Sequence, residues 1–415
     1  METQRFGLDK WIKWALFNLL IVALAGIVLR YKINFSFPIV NQKFLLHGHS
    51  HFAFTGWITL ALMALMVNYL DKNNIDVNFR KYDKMLIANN FISYGMLFTF
   101  IYQGYAALSI TFSTLSILIS YLFIYFYWRD LKKVKQEPAT TIWFKAALVQ
   151  WFLSSLGVFT LAYLMASKTL VQEWYFASVY FFLHFQYNGW FLFACFGLFF
   201  SLLIKNNSAF SLKTNKMLFI VLVVTVIPTY LLSILWLNLP PYLHWTGVIS
   251  GVVQLAAIFY MVRLISVAKQ HLPVQSLQTK WLWILACLAF VLKIFLQMLS
   301  IFPYLGKFAF SFRPIVIGYL HLCFLCILSF FTIGLFNHIL ENRGKSLSTI
   351  GIFVFVSGVL LQEFVLMIQG LTAFQVYLLP QASIILFAIA LLIGLGLVVI
   401  NFKMLKKSTA GSSGS

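Results

Sequence analysis

The sequence predicts an all-α, polytopic membrane protein of about twelve transmembrane helices, and three observations predict it. Of the 415 residues, 61% are hydrophobic and only 10% are charged. A water-facing globule cannot hide that much apolar side chain, so lipid is the solvent for much of the surface. Twelve apolar stretches approach the roughly twenty residues that cross a bilayer core. The basic residues between them are dense in one set of loops and sparse in the alternate set, as loops on opposite sides of a membrane are.

In chain order the spans cover 14–30, 44–69, 85–106, 108–128, 143–166, 176–204, 217–237, 243–263, 281–303, 314–339, 347–369 and 379–402. Several hold Gly or Pro, which membrane helices tolerate. The first run, Trp14 to Leu29, has basic residues before it but no small-residue cleavage site after it, so it reads as a retained helix. Residues 408–415, rich in Ser and Gly, read as a linker-like tail, and 1–407 as a single transmembrane domain.

Alternate assignment of the loops puts 23 Lys and Arg on one side and six on the other, namely Arg30, Lys32, Lys43, Lys168, Lys307 and Arg313. The positive-inside rule then places both termini in the cytoplasm, which for this chain is expected to be that of a bacterium with the protein in its inner (plasma) membrane. The net charge of +20 therefore reports topology rather than nucleic-acid binding, because it lies in short runs between apolar segments. Cys195, Cys287, Cys323 and Cys326 all fall inside apolar segments and read as buried, inert thiols.

Six of the eight histidines fall at one level. His47, His49 and His51 open the second span, His184 lies in the sixth, His244 opens the eighth and His321 lies in the tenth. These four spans run in the same direction, so the six rings share a depth in the outer half of the bilayer. Intramembrane ionisable groups are costly and usually functional. On the second span His47 and His51 are four apart and share a face, while His49 points elsewhere. One helix can therefore serve two centres or coordinate one metal twice. Neutral imidazole suits haem iron, copper and non-haem iron. The 45 Phe, 19 Tyr and 12 Trp supply apolar walls, though any membrane protein of this size has them.

The interval from His51 to His184 is 133 residues, and that from His184 to His321 is 137. The surrounding strings echo one another: His51-Phe-Ala-Phe-Thr-Gly-Trp57, His184-Phe-Gln-Tyr-Asn-Gly-Trp190 and His321-Leu-Cys-Phe324. Such self-similarity points to three four-helix pseudo-repeats, about 1–135, 136–270 and 271–407, each giving a histidine from its second helix.

Twelve spans with histidines on the second, sixth and tenth resemble subunit I of the haem-copper oxidase superfamily, which includes the bacterial nitric oxide reductases. The string His49-Ser-His51-Phe-Ala-Phe-Thr-Gly56 resembles the HxHxAFxG pattern of those reductases, there on the tenth helix. Leu183-His-Phe-Gln-Tyr-Asn-Gly189 resembles their HLWVEG, and Pro240-Pro-Tyr-Leu-His-Trp-Thr246 the PHHLHYT of one oxidase branch. The resemblance implies a low-spin haem with His47 or His51 on one side and His321 on the other. It also implies a second site, for copper or non-haem iron, with His49, His184 and His244 as candidate ligands. That site is altered: Asn188 replaces the motif's glutamate, Tyr319 replaces the high-spin haem ligand, and Pro241 and Tyr242 stand where paired histidines would be.

Other polar groups inside the spans include Lys293 in the ninth and Glu363 beside Gln362 in the eleventh, candidates for an ion pair or a proton relay. Arg313 stands just outside the tenth span, either clamping haem propionates or anchoring the helix at the interface, while Lys307 reads as an anchor. Asn89, Asn90, Gln103, Gln150 and Gln254 read as interhelical hydrogen bonders.

Two functions compete. One is a haem-binding oxidoreductase of the haem-copper oxidase type, doing electron transfer or small-gas chemistry with nitric oxide or oxygen. No soluble cytochrome domain and no CxxCH is present, so its electrons come from a donor protein or quinol, with a partner subunit also expected. The other is a non-catalytic, haem-free relative serving as a membrane carrier, sensor or assembly subunit. An ordinary secondary transporter matches the helix count but not the four-helix histidine repeat, since transporters more often show inverted halves.

Overall fold

A computed structural model describes residues 5–167, 169, 171–204, 209–271, 276–374, 379 and 381–409. Lys168 and Lys205 of the charge pattern, and residues 410–415 of the tail, lie outside these. Every regular element among the described residues is helical. Among the described residues, eleven helices are long and apolar enough to cross a membrane, or twelve if a bent pair is counted as one span. They are α1 Leu8–Asn34, α2 Gln42–Lys72, α3 Phe79–Gln103, α4 Ala107–Leu131, α5 Pro138–Ala166, α6 Gln172–Leu203, α7 Leu212–Thr225 with Pro228–Ile234, α8 Pro241–Ser266, α9 Leu277–Leu299, α10 Arg313–Glu341, α11 Thr349–Ala373 and α12 Ala382–Leu405. The protein is thus an all-α, multi-pass membrane protein.

Two elements depart from the sequence reading. The seventh span, expected to be continuous, bends by 52° between Thr225 and Pro228. Pro228 lacks the N–H that would continue the ladder, and its ring disfavours helical backbone before it. A short helix, Pro303–Ser311, also occupies what reads as the loop before α10, started by a proline at its first position.

The chain divides into two compact units. One holds Met1–Phe123, Val274–Trp283 and Ser329–Ser415; the other holds Ile124–Pro273 and Ile284–Leu328.

In the first unit, α2 is the most enclosed of the wholly contained helices, with 83% of its apolar window buried. Its indole Trp57 Nε1 donates to Ser329 Oγ at 2.9 Å. Lipid gives helices no hydrophobic reason to associate, so packing and such interhelical bonds hold them. At one end, Asp9 pairs with Arg343 and with Lys345, the latter at 2.8 Å. In the second unit, Trp143 of α5 is fully buried among Phe193, Phe196 and Phe200 of α6 and Phe219 of α7. Trp151 stacks on Trp190 at 4.2 Å. The four cysteines are free thiols, and all but Cys287 are buried.

Among the described residues, three helices contain a π-helical stretch: Ala53–Thr59 in α2, Phe185–Phe191 in α6 and Leu322–Ser329 in α10. Each begins within two residues after His51, His184 or His321, the positions that repeat in the sequence. A π turn carries an extra residue and disturbs the carbonyl ladder, so it persists in a membrane only where neighbours satisfy the displaced groups. In α2 they do: Asn18 of α1 donates to the Gly56 carbonyl at 2.6 Å, and Asn89 of α3 to that of Thr55 at 3.0 Å. Asn18 also donates to Asn90 Oδ1 at 2.8 Å and accepts from the Tyr94 hydroxyl at 2.9 Å.

Candidate functional site

The start of α2 is set by Asn41, whose side-chain oxygen accepts from the backbone N–H of Lys43 and Phe44 at 2.9 and 3.2 Å. This N-cap satisfies donors that a helix start leaves open and fixes the register of the three histidines that follow. Their surroundings differ sharply. His49 turns to α1, where its Nδ1 lies 3.0 Å from the Val22 carbonyl and its ring lies over Gly26.

His47 and His51 turn to the other side, toward the end of α3. The His51 ring stacks on Phe100 with centroids 4.4 Å apart and planes 6° apart, and its Nε2 lies 3.0 Å from the Tyr105 hydroxyl. His47 meets the Tyr105 ring edge-on at 4.7 Å. Its Nε2 is buried and has no hydrogen-bond partner. Buried polar atoms are normally paired, so this nitrogen is one of the buried groups of the chain that a ligand would satisfy. Phe100, Tyr105 and Gly104 are the site residues that sequence reasoning missed. The one available signal was the Gln103-Gly-Tyr105 punctuation closing α3.

Gly104 makes the arrangement possible. Its φ of 64° and ψ of −141° lie in a region that only glycine occupies comfortably, and its N–H closes α3 on the Phe100 carbonyl at 2.9 Å. A Cβ there would run into the ring of Phe44. The chain therefore leaves α3 at an angle that lays Tyr105 over α2.

In the second unit, His184 is buried with both ring nitrogens engaged. Nε2 donates to the Val226 carbonyl at 2.7 Å, and Nδ1 accepts from Asn188 Nδ2 at 3.0 Å. Val226 lies at the break in α7, where the Tyr230 N–H turns to Ile227 at 3.1 Å instead of continuing the α-ladder to Val226. Tyr187 and Tyr319 meet edge-on at 6.1 Å. Lys293 is buried and donates to Gln297 Oε1 at 2.8 Å, one turn along its own helix. His321 is half-buried, His244 is half-buried beside Trp245, and Arg313 is exposed at the first turn of α10. In the first unit, Glu363 carries a buried Oε1 without a hydrogen-bond partner. Among the bonders read from sequence, Asn89, Asn90 and Gln254 bridge helices, the last at 3.5 Å to Thr225, whereas Gln103 Nε2 and Gln150 Oε1 stand unpartnered.

His47 thus fits an axial ligand, with an unspent imidazole nitrogen in aromatic surroundings. His184 does not fit a copper or iron ligand as it stands, since neither of its nitrogens has a lone pair to give. Among the described residues, no three or more His, Cys, Asp and Glu side chains gather as a metal-ion site. No family model matches this chain, and no curated protein matches it.

Proposed function

We propose that the protein is a haem-binding electron-transfer protein of the membrane, built on the haem-copper oxidase plan. The observation that carries this reading is the buried, unpartnered Nε2 of His47 beside Tyr105 and Phe100. A polar nitrogen desolvated without a partner costs free energy, and haem iron is a partner that imidazole serves well. The π-helical stretches that follow His51, His184 and His321 support the threefold repeat on which the resemblance rests.

When bound, the haem supplies one-electron chemistry. The chain's own part is to hold it through His47 and to wall the ligand with aromatic rings that exclude water. No chemistry is routed through a second metal, because the His184 nitrogens are already engaged. A donor protein or quinol supplies the electrons. The dense basic loops support a cytoplasmic place for both termini, and the membrane is taken as the plasma membrane of a bacterium. Cysteines placed at Ile39 and Asp76 report on this: only the first is expected to react with an impermeant thiol reagent added to intact cells.

Protein purified from haem-supplied cells, with its haem extracted as the pyridine complex, is expected to yield about one haem per chain. A colourless protein overturns the reading. It moves the assignment to a haem-free carrier, sensor or assembly subunit, which the saturated hydrogen bonding of His184 favours.

A further inference from the structure

His47 and His51 stand one helical turn apart on the same face of α2. Two histidines so spaced are a ready chelate for a bare metal ion, the geometry that i, i+4 pairs lend to zinc sites. The structure does not present these two alike. The Tyr105 hydroxyl is 3.0 Å from His51 Nε2. If that nitrogen carries the proton it donates to the phenol oxygen and has no lone pair to give; if it is bare, the phenol proton occupies the lone pair. In either tautomer it is unavailable to a metal. Phe100, stacked flat on the same ring, opposes its turning away. His47, touched by the same tyrosine only at the ring edge, keeps an unpartnered Nε2.

The position of Tyr105 is built in by the glycine before it, whose backbone conformation and Phe44 contact admit no side chain. We infer that Tyr105 is a positioning residue that locks the Nε2 of His51 and leaves the Nε2 of His47 as the open one of the pair on this face of α2. A lone imidazole suits a haem, whose porphyrin already supplies four donors, and it suits a bare divalent cation poorly. Tyr105 thereby selects for the porphyrin and against free metal ions. The identity of the favoured ligand rests on the haem reading above, whereas the lock itself can be tested without haem.

The full chain, expressed without added haem and placed in lipid nanodiscs, is titrated with Ni²⁺. Wild type and His51→Ala are expected to bind equally weakly. Tyr105→Phe, which keeps the ring and removes only the hydroxyl, is expected to bind Ni²⁺ at least about tenfold more tightly. Adding His51→Ala to Tyr105→Phe should erase the gain, an effect that a general loosening of the fold would not produce. Unchanged affinity in Tyr105→Phe overturns the lock. So does a wild type already weakened equally by His47→Ala and His51→Ala. Failure of every variant to take up haem would overturn the haem reading while the Ni²⁺ series still decides the lock.

Discussion

The side-chain amide of Asn18 donates to the backbone carbonyl of Gly56 across 2.6 Å, tying the first helix to the π-helical stretch that follows His51. The same side chain engages Asn90 and Tyr94, so one residue of α1 satisfies both the displaced backbone of α2 and the polar face of α3. Replacing Asn18 with Leu leaves the Gly56 carbonyl without this donor inside the membrane. A loss of about 1–3 kcal/mol is expected, read as a lower denaturation midpoint in detergent. Faster amide exchange should be confined to the neighbourhood of 53–59.

Trp57 and Ser329 form the corresponding link from α2 to α10. Trp57→Phe and Ser329→Ala each remove one partner of the same bond, so their effects should not add. A double-mutant cycle is expected to give a coupling of about 0.5–1.5 kcal/mol, in the range of membrane interhelical hydrogen bonds. Strict additivity would mean that the bond contributes nothing.

Gly104→Ala should cost about 1–3 kcal/mol for the backbone conformation alone, with the Phe44 contact in addition. Tyr105 should be displaced with it, so this variant is expected to lose stability and to alter the surroundings of both His47 and His51. Thermal unfolding measured beside Tyr105→Phe separates the two effects, since the latter variant leaves the backbone alone.

His184→Ala removes an imidazole whose two nitrogens are both satisfied within the protein. It should destabilise the chain by about 1–3 kcal/mol through the orphaned Val226 and Asn188 groups, yet leave the haem content per folded chain unchanged. A parallel fall in haem content would give His184 a ligand's role.

The apolar spans were legible because length and composition suffice for them, and even the broken seventh carried its cause, Pro228, in plain view. The π-helical stretches were not legible. Their one signal is the matched spacing from His51 to Gly56 and from His184 to Gly189, which periodicity arguments treat as ordinary helix. Histidine position marked α2 as the place to look, but could not separate His47 from His51, because the two share a face. What separates them is Tyr105, brought from the far end of α3 by a backbone conformation at Gly104 that no pattern of apolar residues announces. His184 shows the same limit: its partner is a carbonyl set by a helix break 42 residues away.

The reduced-minus-oxidised visible spectrum of purified wild type, His47→Ala and His51→Ala decides whether His47 holds a haem. The expectation is sharp low-spin haem bands in wild type and in His51→Ala, and their loss in His47→Ala with the helical content retained. Bands that survive in His47→Ala, or a wild-type protein without them, would contradict it.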